Sequence, residues 1–338
     1  MARVTLAEIA ARLGISKFAV SRALSGKSGV SEETRRQVRA VAADLGYVRA
    51  APPSESTIGV IFHDADLINS ELHYMIQNGV QAEAHRRSYH VRMVWTHVAA
   101  EIEAVVRSCE GVVMVGPHDA PSYARAYAAG KPIVRTGWVE PLEPVDHVSG
   151  SDHEAGAAVG NYLHRHGHRA VAYVHGAPRY RGRLERFLGL REAIERRPDM
   201  SLREMRFEVE TSFAEQLEAV RASGYEPTAF FCAHDGLAVT VVSQLLRLGY
   251  RIPEDASVIG FGDFSAAMQI SPHLTTVKTH GRELGAACVR ILDDRIHGRL
   301  NPAIPLRVVV TGHIVERESA GPLVTKPAAL RAGAGRRR

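Results

Sequence analysis

Two short apolar stripes at helical spacing, separated by one glycine, open the chain and restrict its fold more than anything that follows. Leu6, Ile9, Ala10 and Leu13 repeat at the period of a helix face. Thr5 and Glu8 stand in the T-x-x-E relation of a capping box, which satisfies two otherwise orphan N–H groups. Gly14-Ile15 supplies a tight turn, and Ser16 is a good N-cap for the next helix. There Val20 and Leu24 share one face, while Ala19 and Ala23 keep the helix slim enough to lie close on its neighbour. Gly26 ends that helix, and Ser31 caps a third that closes at Leu45-Gly46. The pattern predicts a helix-turn-helix with a supporting third helix, an all-α domain spanning 1–48.

The face opposite Val20 carries Lys17, Phe18, Ser21 and Arg22, because positions one turn apart stack on a helix. Lys17 and Arg22 have the reach for base edges, and an arginine pairs bidentately with guanine. Phe18 is an aromatic where the surface should be polar, suited to a thymine methyl or a sugar. Thr5, Ser16, Ser21, Ser25 and Ser31 stand at helix starts and turns, where hydroxyls and backbone N–H groups hold phosphates. A plain helical module with solvated cations is the alternative. Helix-turn-helix geometry favours DNA, since it sets the second helix in the major groove.

Charge is distributed in keeping with that reading. Residues 1–49 hold nine Lys/Arg against four Asp/Glu, a net +5, and residues 320–338 hold five cations and no acid, another +5. The whole chain is also +5, so 50–319 carries −5. A basic head on an acidic body fits a nucleic-acid reader joined to something else. No N-terminal signal peptide and no apolar run of about 20 residues is recognisable, so no membrane span is expected. Cys109, Cys232 and Cys288 are scattered among apolar neighbours and read as buried free thiols of a cytoplasmic protein.

The run VTLAEIAARLGISKFAVSRALSG, continued by VSEETRRQVRAVAADLGY, resembles the headpiece of the LacI/GalR family of bacterial repressors. The family pattern there is V-T-L-x-D-I-A-x-x-x-G-V-S-x-x-T-V-S-R-V-L-N-G. The resemblance implies that Lys17, Phe18 and Arg22 read bases, and it adds Leu6 to the hydroxyl residues above as a candidate DNA contact. Ala19 stands where Thr is usual and Ser25 where Asn is usual, changes that alter a backbone contact and leave the fold intact. A single headpiece offers a small interface, so a homodimer built through the rest of the chain, on a near-palindromic DNA site, is expected.

Residues 49–56 read as a Pro/Ser-rich linker, VRAAPPSES in its setting, about half the length the family uses. It lacks the leucine of the hinge helix that relatives insert in the minor groove, and Pro52-Pro53 opposes a helix. Beyond it, short apolar runs alternate with amphipathic helices: TIGVIF (57–62), YHVRMVW (89–95), GVVMV (111–115), KPIV (131–134), RAVAYV (169–174), TAFFC (228–232) and ASVIG (256–260). Helical spacing links Leu72, Met75, Ile76, Gly79 and Val80, and again Leu237, Val241, Leu245 and Leu248. Such alternation implies open parallel sheets, and roughly 260 residues imply two lobes with a cleft between them. The phrases DHEAG, RLERFLGLREAI, PTAFFCAHDGLA, IPEDASVIGFGD and LTTVKTHGRELG resemble the periplasmic-binding-protein-type core of the same family. The expected fold is therefore α/β: a helical headpiece, a two-lobed effector-binding and dimerisation core over 57–318, and a basic, disordered tail at 319–338.

Ligands of open α/β sheets bind beyond the carboxyl ends of the strands. By resemblance Arg186 is the ligand-gripping arginine, Asp152 the acid at the lobe crossing, and Phe213 an aromatic that stacks on the ligand. Trp138 follows a strand, and SELH (70–73) replaces an N-P-F-F-like stretch, making Ser70 and His73 candidates. His234 replaces an Asn beside the retained Asp235, Gly262 replaces an acid beside Asp263, and Gly137 stands where Asp is common. His63, His118 and His153 also lie near strand ends. A cleft that loses acids and gains imidazoles favours an anionic ligand, such as a sugar acid or phosphorylated sugar; a neutral sugar is the alternative.

HRHGHR (164–169) invites a metal reading, but Gly167 breaks the helix between His164 and His168, and no metal or cofactor is expected. No phosphate-binding glycine loop or nucleophile elbow occurs, and Asp293-Asp294 reads as a solvated helix face, so no catalytic role is expected. The implied function is a ligand-responsive DNA-binding transcriptional regulator, a repressor. A cytoplasmic small-molecule-binding protein with weak or unregulated DNA binding is the alternative that the short linker keeps open.

Overall fold

The computed structural model describes residues 5–25, 29–45, 56–64, 69–137, 139–176, 181–206 and 212–324. The chain divides into two compact units, Met1–Glu55 and Ser56–Arg338. The expected linker lies almost wholly outside the described residues, as do residues 325–338 of the expected tail. The first residues of that tail, 319–324, are not a free end: Ser319 and Ala320 are buried, and the Ser319 hydroxyl accepts the Thr275 N–H at 2.8 Å and donates to the Val258 carbonyl at 2.6 Å.

The first unit is three helices: α1 (Leu6–Leu13), α2 (Lys17–Ser25) and α3 (Glu32–Asp44). Thr5 forms the capping box with Glu8, and Gly14 closes α1 in the left-handed region at φ 67°. The Ser16 hydroxyl accepts from the Ala19 N–H at 3.1 Å, and the Ser31 hydroxyl from the Thr34 N–H at 3.2 Å. Ile9, Ala10, Val20, Ala23, Val38 and Ala42 form its buried core, with Leu6, Leu13 and Leu24 packed on the edge.

The second unit opens with β1 (Thr57–Phe62), α4 (Ser70–Arg86), β2 (His90–Trp95), α5 (Ala99–Ser108), β3 (Gly111–Val115), α6 (Ala120–Ala128), β4 (Ile133–Thr136) and β5 (Asp146–Gly150). It continues with α7 (Asp152–Arg165), β6 (Ala170–His175), α8 (Arg181–Glu195), β7 (Ser201–Arg206), α9 (Phe213–Ala222), β8 (Ala229–Cys232) and α10 (Asp235–Arg247). Then come β9 (Ser257–Gly262), α11 (Ala266–Gln269), β10 (Thr275–Lys278), α12 (Gly281–Ile296), β11 (Arg307–Val310) and β12 (His313–Val315). Every apolar run read from the sequence becomes a strand, with ends displaced by no more than two residues.

These strands make two six-stranded sheets of the same topology, ordered β11-β5-β4-β3-β1-β2 and β12-β10-β9-β8-β6-β7. All pairings are parallel except β10 with β12. The central strands β3, β8 and β9 are buried throughout, because helices cover both faces of a parallel sheet; edge strands β2 and β7 are largely exposed. Ile58, Val60 and Val113 face Ile76 and Leu292 on one side of the first sheet, while Ile61 and Met114 face Val105 and Ala126 on the other. The second sheet is sandwiched likewise, with Phe230 and Val241 on one side and Phe231 and Val159 on the other. All three cysteines are buried and free.

The chain passes between the lobes three times. It leaves β5 of the first sheet for α7, whose Val159 packs in the second lobe; it returns from β10 to α12, whose Leu292 packs in the first; and it crosses from β11 to β12. Within each lobe one helix pair is drawn together at glycines. A Cβ on Gly79 of α4 would lie 1.8 Å from the Arg282 carbonyl oxygen of α12, and one on Gly189 of α8 would lie 1.9 Å from the His153 oxygen of α7.

One sequence expectation fails here. Asp293 is not on a solvated face: it is 6% exposed, receives the Tyr89 hydroxyl at 2.8 Å and is paired with Arg87 and Arg299. The pattern of α12 alone does not reveal that Tyr89 and Arg87 come to meet it from across the lobe. Asp294 beside it is half-exposed and paired with Arg299 at 2.6 Å. Gly167 does take a left-handed φ of 85°, and His168 is fully buried between Thr228 and the Gly321 carbonyl. Among the described residues no group of side chains could hold a metal ion, and no helix is long and apolar enough to cross a membrane.

Candidate functional site

In the first unit, burial of Val20 and Ala23 orients α2 so that Lys17, Phe18 and Ser21 face solvent. Phe18 is 68% exposed, and the Arg22 guanidinium lies 5.1 Å from its ring centroid. The face therefore presents two cations, a hydroxyl and an apolar ring, the set that reads phosphate, base edges and a thymine methyl. Ser16 and Ser31 sit at the starts of α2 and α3, where exposed N–H groups favour phosphate. Thr5 starts α1 in the same way, its hydroxyl shared with Glu8. Leu6 is half-buried against the headpiece core, as its place in the apolar stripe dictates. Ser25 is the last residue of α2, and its side chain lies outside the described residues.

In the second unit the carboxyl ends of both sheets meet at a cavity of about 140 Å³. A single water needs roughly 10–15 Å³ on the same kind of measure, so the cavity suits a molecule on the order of ten heavy atoms. His73, Asp152, Arg186 and His234, candidates from the sequence, all line it. The Arg186 Nε donates to Asp152 Oδ1 at 2.6 Å, its Nη1 donates to the Ala233 carbonyl, and its guanidinium carbon stands 3.4 Å from the Phe261 ring centroid. Three contacts from three elements fix this arginine before any ligand arrives.

His234 caps α10, its Nδ1 accepting from the Leu237 N–H at 3.2 Å, which leaves Nε2 to carry the ring proton. Burial, then repulsion from Arg183 and Arg186, lowers its pKa to about 4. The imidazole is neutral at physiological pH, so it offers a hydrogen-bond donor to the cavity and no charge.

Other candidates sit elsewhere. Phe213 is 1% exposed and packs edge-on against Phe230 in the core, because the Ser212–Glu215 capping box turns it inward at the start of α9. Asp235 is fully buried beneath the cavity wall, accepting from the Thr276 hydroxyl at 2.5 Å and the Phe264 N–H at 2.7 Å. Burial raises its pKa although both donors oppose the shift. It ties the ends of β8, β9 and β10 together and does not line the cavity. Asp263 is held by Lys278 at 2.9 Å and Arg317 at 2.6 Å, with φ 57°, and lies in a separate groove beside His280 and Arg282. Its pKa is lowered: burial pushes it up, but the Lys278 and Arg317 hydrogen bonds prevail. Ser70 begins α4 in an exposed position next to Asn69, which does line the cavity; Trp138 lies outside the described residues.

The remaining imidazoles are not in the cavity either. His63 and His118 stack edge-on at 5.2 Å at the ends of β1 and β3, and His153 pairs with Glu192 at 3.2 Å across α7 and α8. Sequence reasoning missed Arg181 and Arg183, which line the cavity with Phe261, Phe264, Thr136 and Ser149. The signal was present: R-G-R precedes Leu184 just after the end of β6, where the strand-end rule directs attention.

Comparison with known proteins agrees with this architecture. Residues 5–50 match the model of the bacterial regulatory proteins of the lacI family, and residues 161–320 match a periplasmic binding protein-like domain. The HTH-type transcriptional regulator MalR of Streptomyces coelicolor is 29% identical over 88% of this chain and 91% of its own. CelR of Thermobifida fusca, another HTH-type transcriptional regulator, is 28% identical over 94% of this chain and 98% of its own. The solved structure of a transcriptional regulator CelR–cellobiose complex superposes with a TM-score of 0.68 at 26% identity, covering 94% of this chain and all of that one. A helix-turn-helix in one unit and a ligand-sized cavity in the other are thus found together in a chain that belongs to the LacI family of transcriptional regulators, with an effector-binding domain behind its helix-turn-helix.

Proposed function

We propose that the protein is a cytoplasmic repressor that reads a near-palindromic operator as a homodimer and is controlled by a small sugar-like metabolite in the interlobe cavity. The observation that carries the DNA half is the outward face of α2, where Phe18 stands 68% exposed beside Lys17, Ser21 and Arg22. Phe18 stands on the otherwise polar outward face of α2, and the major groove is the partner that helix-turn-helix geometry brings to that face.

The sensing half is supported by the cavity and by the relative whose structure contains cellobiose. A ligand bound there touches both lobes, so it favours one separation of the lobes over another, and only that difference in affinity can alter DNA binding. The homodimer is supported by the small footprint of one headpiece and by exposed apolar side chains on the body, among them Tyr74 at 62% and Met268 at 53%.

Fluorescence anisotropy tests this with the DNA upstream of the protein's own gene and a scrambled duplex, at two salt concentrations, for wild type and Arg22→Ala. Tight binding to the first duplex that persists in salt and collapses in the variant is the expected result. Equal, salt-sensitive binding to both duplexes would leave a nonspecific binder and refute operator reading. Sedimentation of the same samples gives the oligomeric state.

A further inference from the structure

The described lining of the interlobe cavity holds more cationic side chains than acidic ones: three guanidiniums, those of Arg181, Arg183 and Arg186, against the single carboxylate of Asp152. That carboxylate is engaged with Arg186 at 2.6 Å. Arg181 leans on Glu185 one turn along its own helix, at 2.5 Å. Arg183 is 7% exposed, and its backbone is anchored where its carbonyl accepts the Tyr173 hydroxyl at 2.7 Å.

The backbone adds to the same sign. Residues at the starts of four helices border the cavity: Asn69 before α4, Asp152 of α7, Arg181, Gly182 and Arg183 of α8, and His234 before α10. The N-cap of α7, Ser151, makes no side-chain capping bond. Each helix start presents N–H groups and the positive end of its dipole, and convergence of several on one small space makes an anion site. His234 does not contribute to this: burial, helped by the nearby arginines, keeps it neutral.

We propose that the effector carries a compact oxyanion, a phosphate or carboxylate on a hydroxylated body, and that Arg183 and the first turn of α8 hold it while Arg186 and Asp152 grip the hydroxyls. This rests on the reading of the cavity as the effector site. A guanidinium forms charge-assisted, bidentate bonds with either oxyanion, and the ordered N–H groups of a helix start complete the cradle.

The test uses the full-length protein in calorimetric titrations and thermal-shift assays with inorganic phosphate, glucose 6-phosphate, gluconate and glucose, for wild type, Arg183→Gln and Arg181→Gln. The phosphorylated or carboxylated sugar should bind at least about tenfold more tightly than glucose, and Arg183→Gln should abolish most of that preference. Comparing glucose 6-phosphate with gluconate separates the two oxyanions. A melt of each variant without ligand shows whether it folds; if Arg183→Gln does not, the half-exposed Arg181 position supplies the reading, with a smaller loss expected. Glucose binding as well as or better than the charged sugars would overturn the oxyanion and leave metabolite sensing standing. No shift with any probe, phosphate included, would also overturn it, while the anisotropy experiment reports independently on DNA reading.

Discussion

The carboxylate of Glu71, in the first turn of α4, spans the cleft to Ser265 at the start of α11. One oxygen accepts the Ser265 N–H and the other its hydroxyl, each at 2.9 Å. The first lobe thereby holds the second at the mouth of the cavity, by a contact that exists only while the lobes are close. Hydrogen bonds to a charged group contribute about 1.5–3 kcal/mol when sheltered, and this exposed pair belongs at or below the lower end. Glu71→Ala should shift the ligand-free protein toward a more open form, seen in small-angle scattering as a larger radius of gyration. An unchanged scattering curve would show that the clasp does not set the lobe separation.

A second prediction concerns the helix pair that carries the arginines. The backbone of α8 lies so close to α7 that a methyl at Gly189 would sit 1.9 Å from the His153 oxygen, and one at Gly156 would sit 2.0 Å from the Arg186 oxygen. Neither obstacle is a flexible side-chain end, so the helices must part. Gly189→Ala should cost about 1–3 kcal/mol in urea unfolding despite alanine's better helix propensity. It should also weaken effector binding, because Arg183 and Arg186 move with α8. Alanine at exposed Gly224, where a Cβ meets nothing within 4 Å, is the control for space, though its φ of 82° carries its own strain.

The buried imidazoles predict the response to acid. Burial lowers His118, His147 and His234 to a pKa of about 4, assisted by nearby cationic or imidazole groups, against the ordinary 6.5 of an unfolded chain. Above pH 6.5 both states leave them neutral, and the stability is fully present. Between pH 6.5 and 4 the unfolded chain binds more protons, so stability falls, and below pH 4 this contribution levels off. Each group accounts for a loss on the order of 3 kcal/mol across that interval. Chemical unfolding at pH 7.5, 6 and 5 checks it. Stability that holds to pH 5 and drops only in stronger acid would transfer the effect to Asp263 and Asp293, carboxylates held low against burial, Asp263 by Lys278 and Arg317 and Asp293 by the Tyr89 hydroxyl with Arg87 and Arg299.

On the DNA face, Lys17→Ala, Phe18→Ala and Arg22→Ala should act differently from Ser31→Ala. Loss of a base-reading group costs about 1–3 kcal/mol and relaxes preference at one base pair, whereas loss of a phosphate contact weakens all sequences alike. Because Arg22 stands 5.1 Å from the Phe18 ring, the two should be coupled, and a double variant should lose less than the two single losses combined. Additive losses would mean the two residues act on DNA separately.

The headpiece was almost fully legible in the sequence, because its determinants are local. Thr5 with Glu8, Gly14, Ser16 and Ser31 each act within a few residues, and the structure shows every one of those caps and turns. The sheets were legible where strands are apolar throughout. Edge and crossing strands such as β7, SLREMR, and β5, DHVSG, carry polar residues that no periodicity marks as strand. The cavity was read in part. Arg186 and Asp152 were found, but Phe213 failed because the side of a strand-end loop on which a helix begins is settled by its capping box, not by distance from the strand. Arg183 is not legible in this way, because Arg186 is the one arginine of the segment that fits the family pattern.

The three crossings between the lobes also govern the order in which the molecule can be made. The first sheet starts at Thr57, yet its core needs Leu292 of α12 and its edge needs β11, which ends at Val310. The second sheet, begun at Ala170, has all of its parallel strands by Lys278. On the ribosome the lobe that emerges first is therefore still unfinished when its neighbour has all its parallel strands, and its exposed strands must wait through that synthesis. A chain released anywhere before residue 310 leaves the first lobe incomplete, so a C-terminal truncation damages the part of the body nearest its beginning.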